Sequence, residues 1–75
     1  MNKKQRAQID VISEKLDELK EEVEAIREVE REKLDNLEER FGGTKKVRQI
    51  EEQIDLLEQV VGSIEEALNS LGGIG

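Results

Sequence analysis

Carboxylates are the only plentiful chemistry-bearing side chains in this sequence: Asp and Glu number 19 among 75 residues, and there is no histidine and no cysteine. Pairs one helical turn apart, such as Glu14 with Glu18 and Glu18 with Glu22, have the spacing that sets two oxygens beside one hard cation. Helical bundles that hold a di-metal centre add an inward-facing Glu-x-x-His pair, which a chain without histidine cannot supply. Without His or Cys there is also no imidazole base near neutral pH, no thiolate nucleophile, no disulfide and no zinc site of the common kinds. No Gly-x-x-x-x-Gly-Lys loop, Gly-x-Gly-x-x-Gly turn or Gly-x-Ser-x-Gly elbow occurs, so phosphate cradling and serine hydrolysis lack their motifs. The expectation is a protein that is not an enzyme and binds no cofactor or metal.

The elements that would position these carboxylates are helices. Hydrophobic residues make up 35% of the chain and charged ones 41%, proline is absent, and Phe41 is the single aromatic. Glu, Lys, Leu, Ile, Arg and Gln dominate, a composition of long helices and not of sheet. Ile9, Ile12, Leu16, Leu19, Val23 and Ile26 follow one another at alternating steps of three and four, the mark of a heptad seam. From Ile26 the pattern steps by fours through Glu30 to Leu34, then to Leu37 and Phe41, which reads as a stutter that locally unwinds the seam. Val47, Ile50, Ile54, Leu57, Val61, Ile64, Leu68 and Leu71 then alternate three and four without a break. Between the two runs stands Gly42-Gly43, a doublet suited to stopping a helix and reversing the chain, with Thr44 placed as an N-cap.

The predicted fold is therefore all-α: one helical-hairpin domain over residues 1–75, with helices at 4–41 and 45–71, the Gly42-Gly43 hinge, and a Gly-rich tail at 72–75. A hinge this short makes the helices antiparallel. If opposed residues sum to about 84, Leu37 meets Val47, Leu34 meets Ile50, Glu30 meets Ile54, Val23 meets Val61, Leu16 meets Leu68, and Ile9 lies near Ile74. The flanking register pairs Lys20 with Glu65, Arg27 with Glu58, Lys33 with Glu52 and Glu39 with Lys46, contacts that choose alignment more than they supply stability. Glu30, inside the seam, is expected to snorkel outward toward Lys33; fixing register or touching a partner is the alternative. Gly62, inside the second helix, costs up to about 1 kcal/mol relative to Ala, which a close helix contact would offset. The tail is either disordered or a short cap over the open end.

One seam between two rods leaves most of each rod wet, and for so short a chain burial and conformational entropy nearly cancel. A second apolar stripe marks where company is wanted. Leu56, Val60 and Ala67 run beside the main seam with Ser63 between them, and the register sets Ala25 opposite Val60 and Val29 opposite Leu56. These six residues form the predicted interface of a homodimer that closes into a four-helix bundle. The alternative is that Leu56 and Val60 only widen the seam within one chain.

Twelve basic residues against 19 acidic ones leave a net charge of −7, and residues 49–75 carry acids and no base. Such a surface repels phosphate backbones, so direct nucleic-acid binding is not expected; it reads as a solubilising face or, more sharply, as an imitation of nucleic acid. Lys45, Lys46 and Arg48 open the second helix, against the dipole, and are expected to pair across the turn with Glu38 and Glu39. A docking point for an acidic partner is the other reading of that cluster. No run is long and apolar enough for a membrane span, and the first residues do not read as a signal peptide, so a cytoplasmic setting is expected.

The stretch "EREKLDNLEERF" followed by "IEEQIDLLEQVVGSIEEALNSL" resembles small acidic proteins of bacteriophages, prophages and other mobile elements. In those proteins a Glu-rich helix ending near an Asp-Asn-Leu or Asp-Asn-Met segment leads to a second helix closing with Ser-Ile-Glu-Glu-Ala. The resemblance covers roughly residues 28–71 and departs at Phe41-Gly42-Gly43, where a more polar, proline-containing connection belongs. It implies a phage or bacterial setting and assigns no functional residue. The function expected is a small interaction module that binds another protein through acidic faces and a lateral apolar patch. The alternative is an acidic mimic of DNA that inhibits a nucleic-acid-binding enzyme.

Overall fold

The computed structural model describes the backbone of residues 1–41 and 45–74, and the side chains of all of these except residues 39–41. Two helices account for it: α1, Lys3–Phe41, and α2, Lys45–Gly72. They pack antiparallel along their length as an all-α helical hairpin measuring 57 × 14 × 11 Å. The radius of gyration is 17.2 Å, against about 11 Å for a compact domain of this length. The Gly42-Gly43 hinge, the Thr44 cap, the seam role of the Phe41 side chain and the Glu39–Lys46 pair lie outside the described residues.

Both helix ends at the open end of the hairpin are tied by local chemistry. Gln5 N–H donates to Asn2 Oδ1 at 2.8 Å and Asn2 N–H donates to Gln5 Oε1 at 3.2 Å, a reciprocal capping box that satisfies donors the first helical turn would otherwise leave open. This begins α1 at Lys3. Beside it, after α2, Gly73 N–H donates to Asn69 O at 3.1 Å and Ile74 N–H to Leu71 O at 3.2 Å, tightening the chain after Gly72. Ile74 thereby comes to line a small depression with Ile9, Ser13 and Leu71. The described part of the tail is a cap over the open end.

The core is one line of side chains. Val47, Ile50, Ile54 and Val61 of α2 are buried, and Leu57, Ile64, Leu68 and Leu71 are half-buried: the unbroken heptad read from the sequence. On α1 the corresponding positions differ from expectation. Ile9, Ser13, Leu16, Lys20, Val23, Arg27, Glu30, Leu34 and Leu37 are half-buried, a regular alternation of four and three with no stutter. Ile12, Leu19 and Ile26, placed in the seam by sequence, are 47%, 50% and 53% exposed. Leu34 and Leu37 set the phase near the ends Phe41 and Lys45. A straight heptad continued back from them brings Arg27, Lys20 and Ser13 inward and leaves the residue before each outside. Matched in order, the covered positions of the two helices sum to 84, from Leu37 with Val47 to Ser13 with Leu71, and the depression shared by Ser13 and Leu71 fits that register.

The inserted cations are accommodated by shape and charge. Lys20 and Arg27 keep only 23% and 21% of their side chains exposed, lay aliphatic stems between the helices and send their charged ends outward. Lys20 Nζ lies 3.8 Å from Asp17 and 4.0 Å from Glu65, the second contact being one the register predicts. Arg27 does not reach Glu58; its guanidinium is held by Glu24 and Glu28 at 3.9 and 3.6 Å, and Arg31, one turn on, takes Glu58. Lys33 does not pair with Glu52. It donates to Glu30 at 3.1 Å, because its side of the hairpin is the one it shares with Lys46, Gln49 and Gln53. Glu30 thus snorkels as expected. Gly62 does not offset its cost by close packing, since a Cβ there would meet nothing within 4 Å.

Candidate interaction site

With the covered positions of each helix taken as a and d of a heptad, antiparallel helices bring g positions together on one flank and e positions together on the other. The g flank of α1 is Ile12, Leu19, Ile26 and Lys33; that of α2 is Lys46, Gln53, Val60 and Ala67. The c positions beside them add Val29, Leu56 and Ser63. Two adjoining grooves show the assignment in space: Ile26 lines one with Leu56, Leu57 and Val60, Glu30 and Gln53 closing its end, and Leu16 lines the next with Val60, Ser63 and Ala67. Ile26, Val29, Leu56 and Val60 are all about half exposed or more. An apolar strip therefore runs along the middle of one flank, with Lys33 and Lys46 at one end.

The opposite flank has the reverse chemistry. Its e and b positions hold Asp10, Glu14, Asp17, Glu21, Glu24 and Glu28 on α1 and Glu51, Asp55, Glu58 and Glu65 on α2, two acidic rows with Lys20, Arg27 and Arg31 drawn in between them. On the apolar flank, by contrast, Glu22 is the one acid among the described g and c positions. The carboxylates of these flanking positions, Glu22 apart, are sorted to one side of a rod only 14 × 11 Å across.

Of the six residues predicted for the interface, Leu56, Val60, Ser63 and Ala67 are brought together in one groove. Val29 stands one turn from Ile26 on the same flank and is 51% exposed. Ala25 is misplaced: it borders a depression formed wholly by α1 residues, with Leu19, Glu21 and Glu22, and does not oppose Val60. The reason is the phase of α1. With Val23 and Arg27 in the seam, the residue between them points away from α2, and Ile26 takes the place assigned to Ala25. Sequence reasoning missed Ile12, Leu19 and Ile26 as surface residues. The signal was present: a stutter in one helix facing an unbroken heptad in the other cannot keep a single register.

The chemistry open to this surface is contact and charge. Among the described residues no group of three or more carboxylates converges as a metal site, and Glu14, Glu18 and Glu22 are exposed. Glu38 makes no ion pair with Lys45, Lys46 or Arg48 among the described residues; pairing of that cluster with Glu39 lies outside them. No described helix is long and apolar enough to cross a membrane. No protein-family model, no curated protein and no solved structure matches the chain.

Proposed function

We propose that this protein is a small, non-enzymatic interaction module of phage or mobile-element origin, acting in the cytoplasm by binding another protein. One observation carries the reading: apolar side chains and carboxylates are segregated onto opposite flanks of a rigid rod, which gives it two contact surfaces of different chemistry. The acidic flank engages a basic protein surface, with attraction that is long-ranged and weakened by salt. The apolar flank is the seat of self-association into a homodimer, since exposed apolar strips rimmed by polar residues mark contact sites. Affinity capture from the native host, with mass spectrometry, tests the proposal when repeated with Glu14, Glu21 and Glu28 changed together to Lys. Loss of the captured protein on charge reversal supports it; capture unchanged by the reversal overturns the role given to the acidic flank.

The second reading, a DNA mimic, is favoured by the two parallel rows of carboxylates on that flank. Their spacing of three to four residues along α1 corresponds to about 4.5–6 Å of rise, of the same order as, though wider than, the roughly 3.4 Å per phosphate of a nucleic-acid strand. Lys20, Arg27 and Arg31 interrupt the rows, which is why the mimic stands second. Capture of a DNA-processing enzyme that is released as salt rises, and displaced by duplex DNA, supports mimicry. Salt-tolerant capture of a structural protein supports an adaptor.

A further inference from the structure

The chain exposes 5849 Å², whereas a compact monomer of 8.6 kDa exposes about 4,700 Å². The excess, roughly 1,100 Å², is more than the about 800 Å² that each partner contributes to a standard protein–protein interface. A net charge of −7 makes two copies repel wherever their acidic flanks meet, and the apolar flank, where Glu22 and the Lys33-paired Glu30 are the acids among the described residues, is where they can approach with the least of that cost. Area and charge both point to the same occupant for this flank: another copy of the chain.

The ends of the flank decide how the copies lie. Lys33 and Lys46 border one depression at the same end, so a two-fold axis along the rod would gather four ammonium groups. A two-fold axis across the rod separates them. We infer that two hairpins pair face to face through this flank with their Lys33/Lys46 ends pointing in opposite directions, about an axis at the level of Ile26, so that the acidic flanks of both copies face outward. This rests on the reading of the apolar flank as a contact surface and gives that surface its partner and geometry.

The level of the axis follows from spacing. Ile26 and Glu58 share one layer of the hairpin, because their numbers sum to 84 as all opposed seam residues do. An axis there sets Ile26 against its own copy. Leu56 and Val60, two residues either side of Glu58, meet each other across the interface. Lys33 falls opposite Leu19 of the second copy, seven residues from the axis on each chain, where its stem lies on an apolar surface and its ammonium is within one turn of the second copy's Glu22. Lys46 falls opposite Ser70. Glu22 falls level with the second copy's Glu30, whose charge Lys33 of that copy offsets through their hydrogen bond, and Ile12 falls level with position 40 of the second copy, fourteen residues from the axis and far from its own copy.

The absence of cysteine makes the geometry testable with single thiols. In the full chain, Ile26→Cys is expected to form a disulfide-linked dimer on mild oxidation at least tenfold faster than Ile12→Cys or Lys46→Cys. Helicity by circular dichroism is read on each variant, so that unfolded chains are not counted. Sedimentation should give a dimer for the unmodified protein and a monomer, still helical, for Leu56→Lys. Ile12→Cys or Lys46→Cys crosslinking as fast as Ile26→Cys overturns the arrangement, and an unmodified chain that stays monomeric at high micromolar concentration overturns the pairing itself. Either result leaves the acidic-flank reading standing if charge reversal still abolishes partner capture. A dimer whose captured protein ignores that reversal sinks the acidic-flank reading alone.

Discussion

The two helices contribute unequally to their shared seam. Facing positions on α2 are apolar throughout, from Val47 to Leu71, and the four most buried of the described residues, Val47, Ile50, Ile54 and Val61, all belong to it. Facing positions on α1 include Ser13, Lys20, Arg27 and Glu30, while Ile12, Leu19 and Ile26 stand outside. The helix with one consistent periodicity dictates the phase of the helix that carries two. Turning α1 to bury Ile12, Leu19 and Ile26 would take Leu34 out of line with Ile50 or require a stutter that α2 does not match. The structure keeps the straight seam and lets long polar side chains fill it with their stems.

The sharpest way to break this contrast is to shorten one apolar residue on each helix. Ile54→Ala removes a buried side chain from the uniform helix and should cost about 2–3 kcal/mol. Ile12→Ala, equivalent to it if the α1 stripe were the true seam, should cost less than about 1 kcal/mol. Urea denaturation followed by the helical signal, at one fixed protein concentration because self-association shifts apparent stability, compares them directly. Similar losses at both positions would mean that Ile12 is covered after all.

The second test bears on the cations in the seam. Arg27 Nε is buried without a hydrogen-bond partner, an arrangement that costs free energy the outward ion pairs with Glu24 and Glu28 only partly return. Arg27→Leu replaces it with an apolar group facing Leu57 and should stabilise the hairpin by about 1–2 kcal/mol in the same assay. Loss of stability instead would show that Arg27 anchors the register, and that α1 is less subordinate to α2 than its pattern indicates.

These differences mark how far the sequence could be read. The helix ends expected at 4, 41, 45 and 71 fall within one residue of those found, because glycine, capping groups and heptads are local signals. The α2 seam and the sum of 84 were legible because an eight-member apolar row admits one alignment. The α1 face was not, since Ile9, Leu16 and Val23 belong equally to both of its candidate stripes and only contact with α2 separates them. That ambiguity passed straight into the site: Leu56, Val60, Ser63 and Ala67 were found from the unambiguous helix, while Ala25 was drawn from the ambiguous one in place of Ile26. The Asn2/Gln5 capping box was readable from the spacing of an N-cap residue and a glutamine three positions on.

A smaller effect separates the flanks of α2. Gly62 occupies a b position on the acidic side, and a Cβ there would touch nothing, so Gly62→Ala should raise stability by about 0.5–1 kcal/mol through helix propensity alone. It should leave the sedimentation behaviour of the chain unchanged, because Gly62 is not on the apolar flank. Destabilisation, or a change in oligomeric state, would place a second interface on the acidic side and remove the division of labour between the flanks.

The smallest expected effect is the coupling between Arg31 and Glu58, the one direct hydrogen-bonded ion pair that joins the two helices among the described residues. Its side chains remain 48% and 41% exposed, so water and salt screen the attraction and ordering two long side chains offsets part of it. A double-mutant cycle with Arg31→Ala and Glu58→Ala should give a coupling of a few tenths of a kcal/mol that fades at high salt. The value matters less than its sign and salt response. On a flank where carboxylates outnumber cations, removing Glu58 also relieves repulsion with Glu24 and Glu65, whereas removing Arg31 exposes it. Glu58→Ala alone should therefore cost less than Arg31→Ala alone, and the reverse order would show that the acidic flank is held together by its individual pairs and not strained by its net charge.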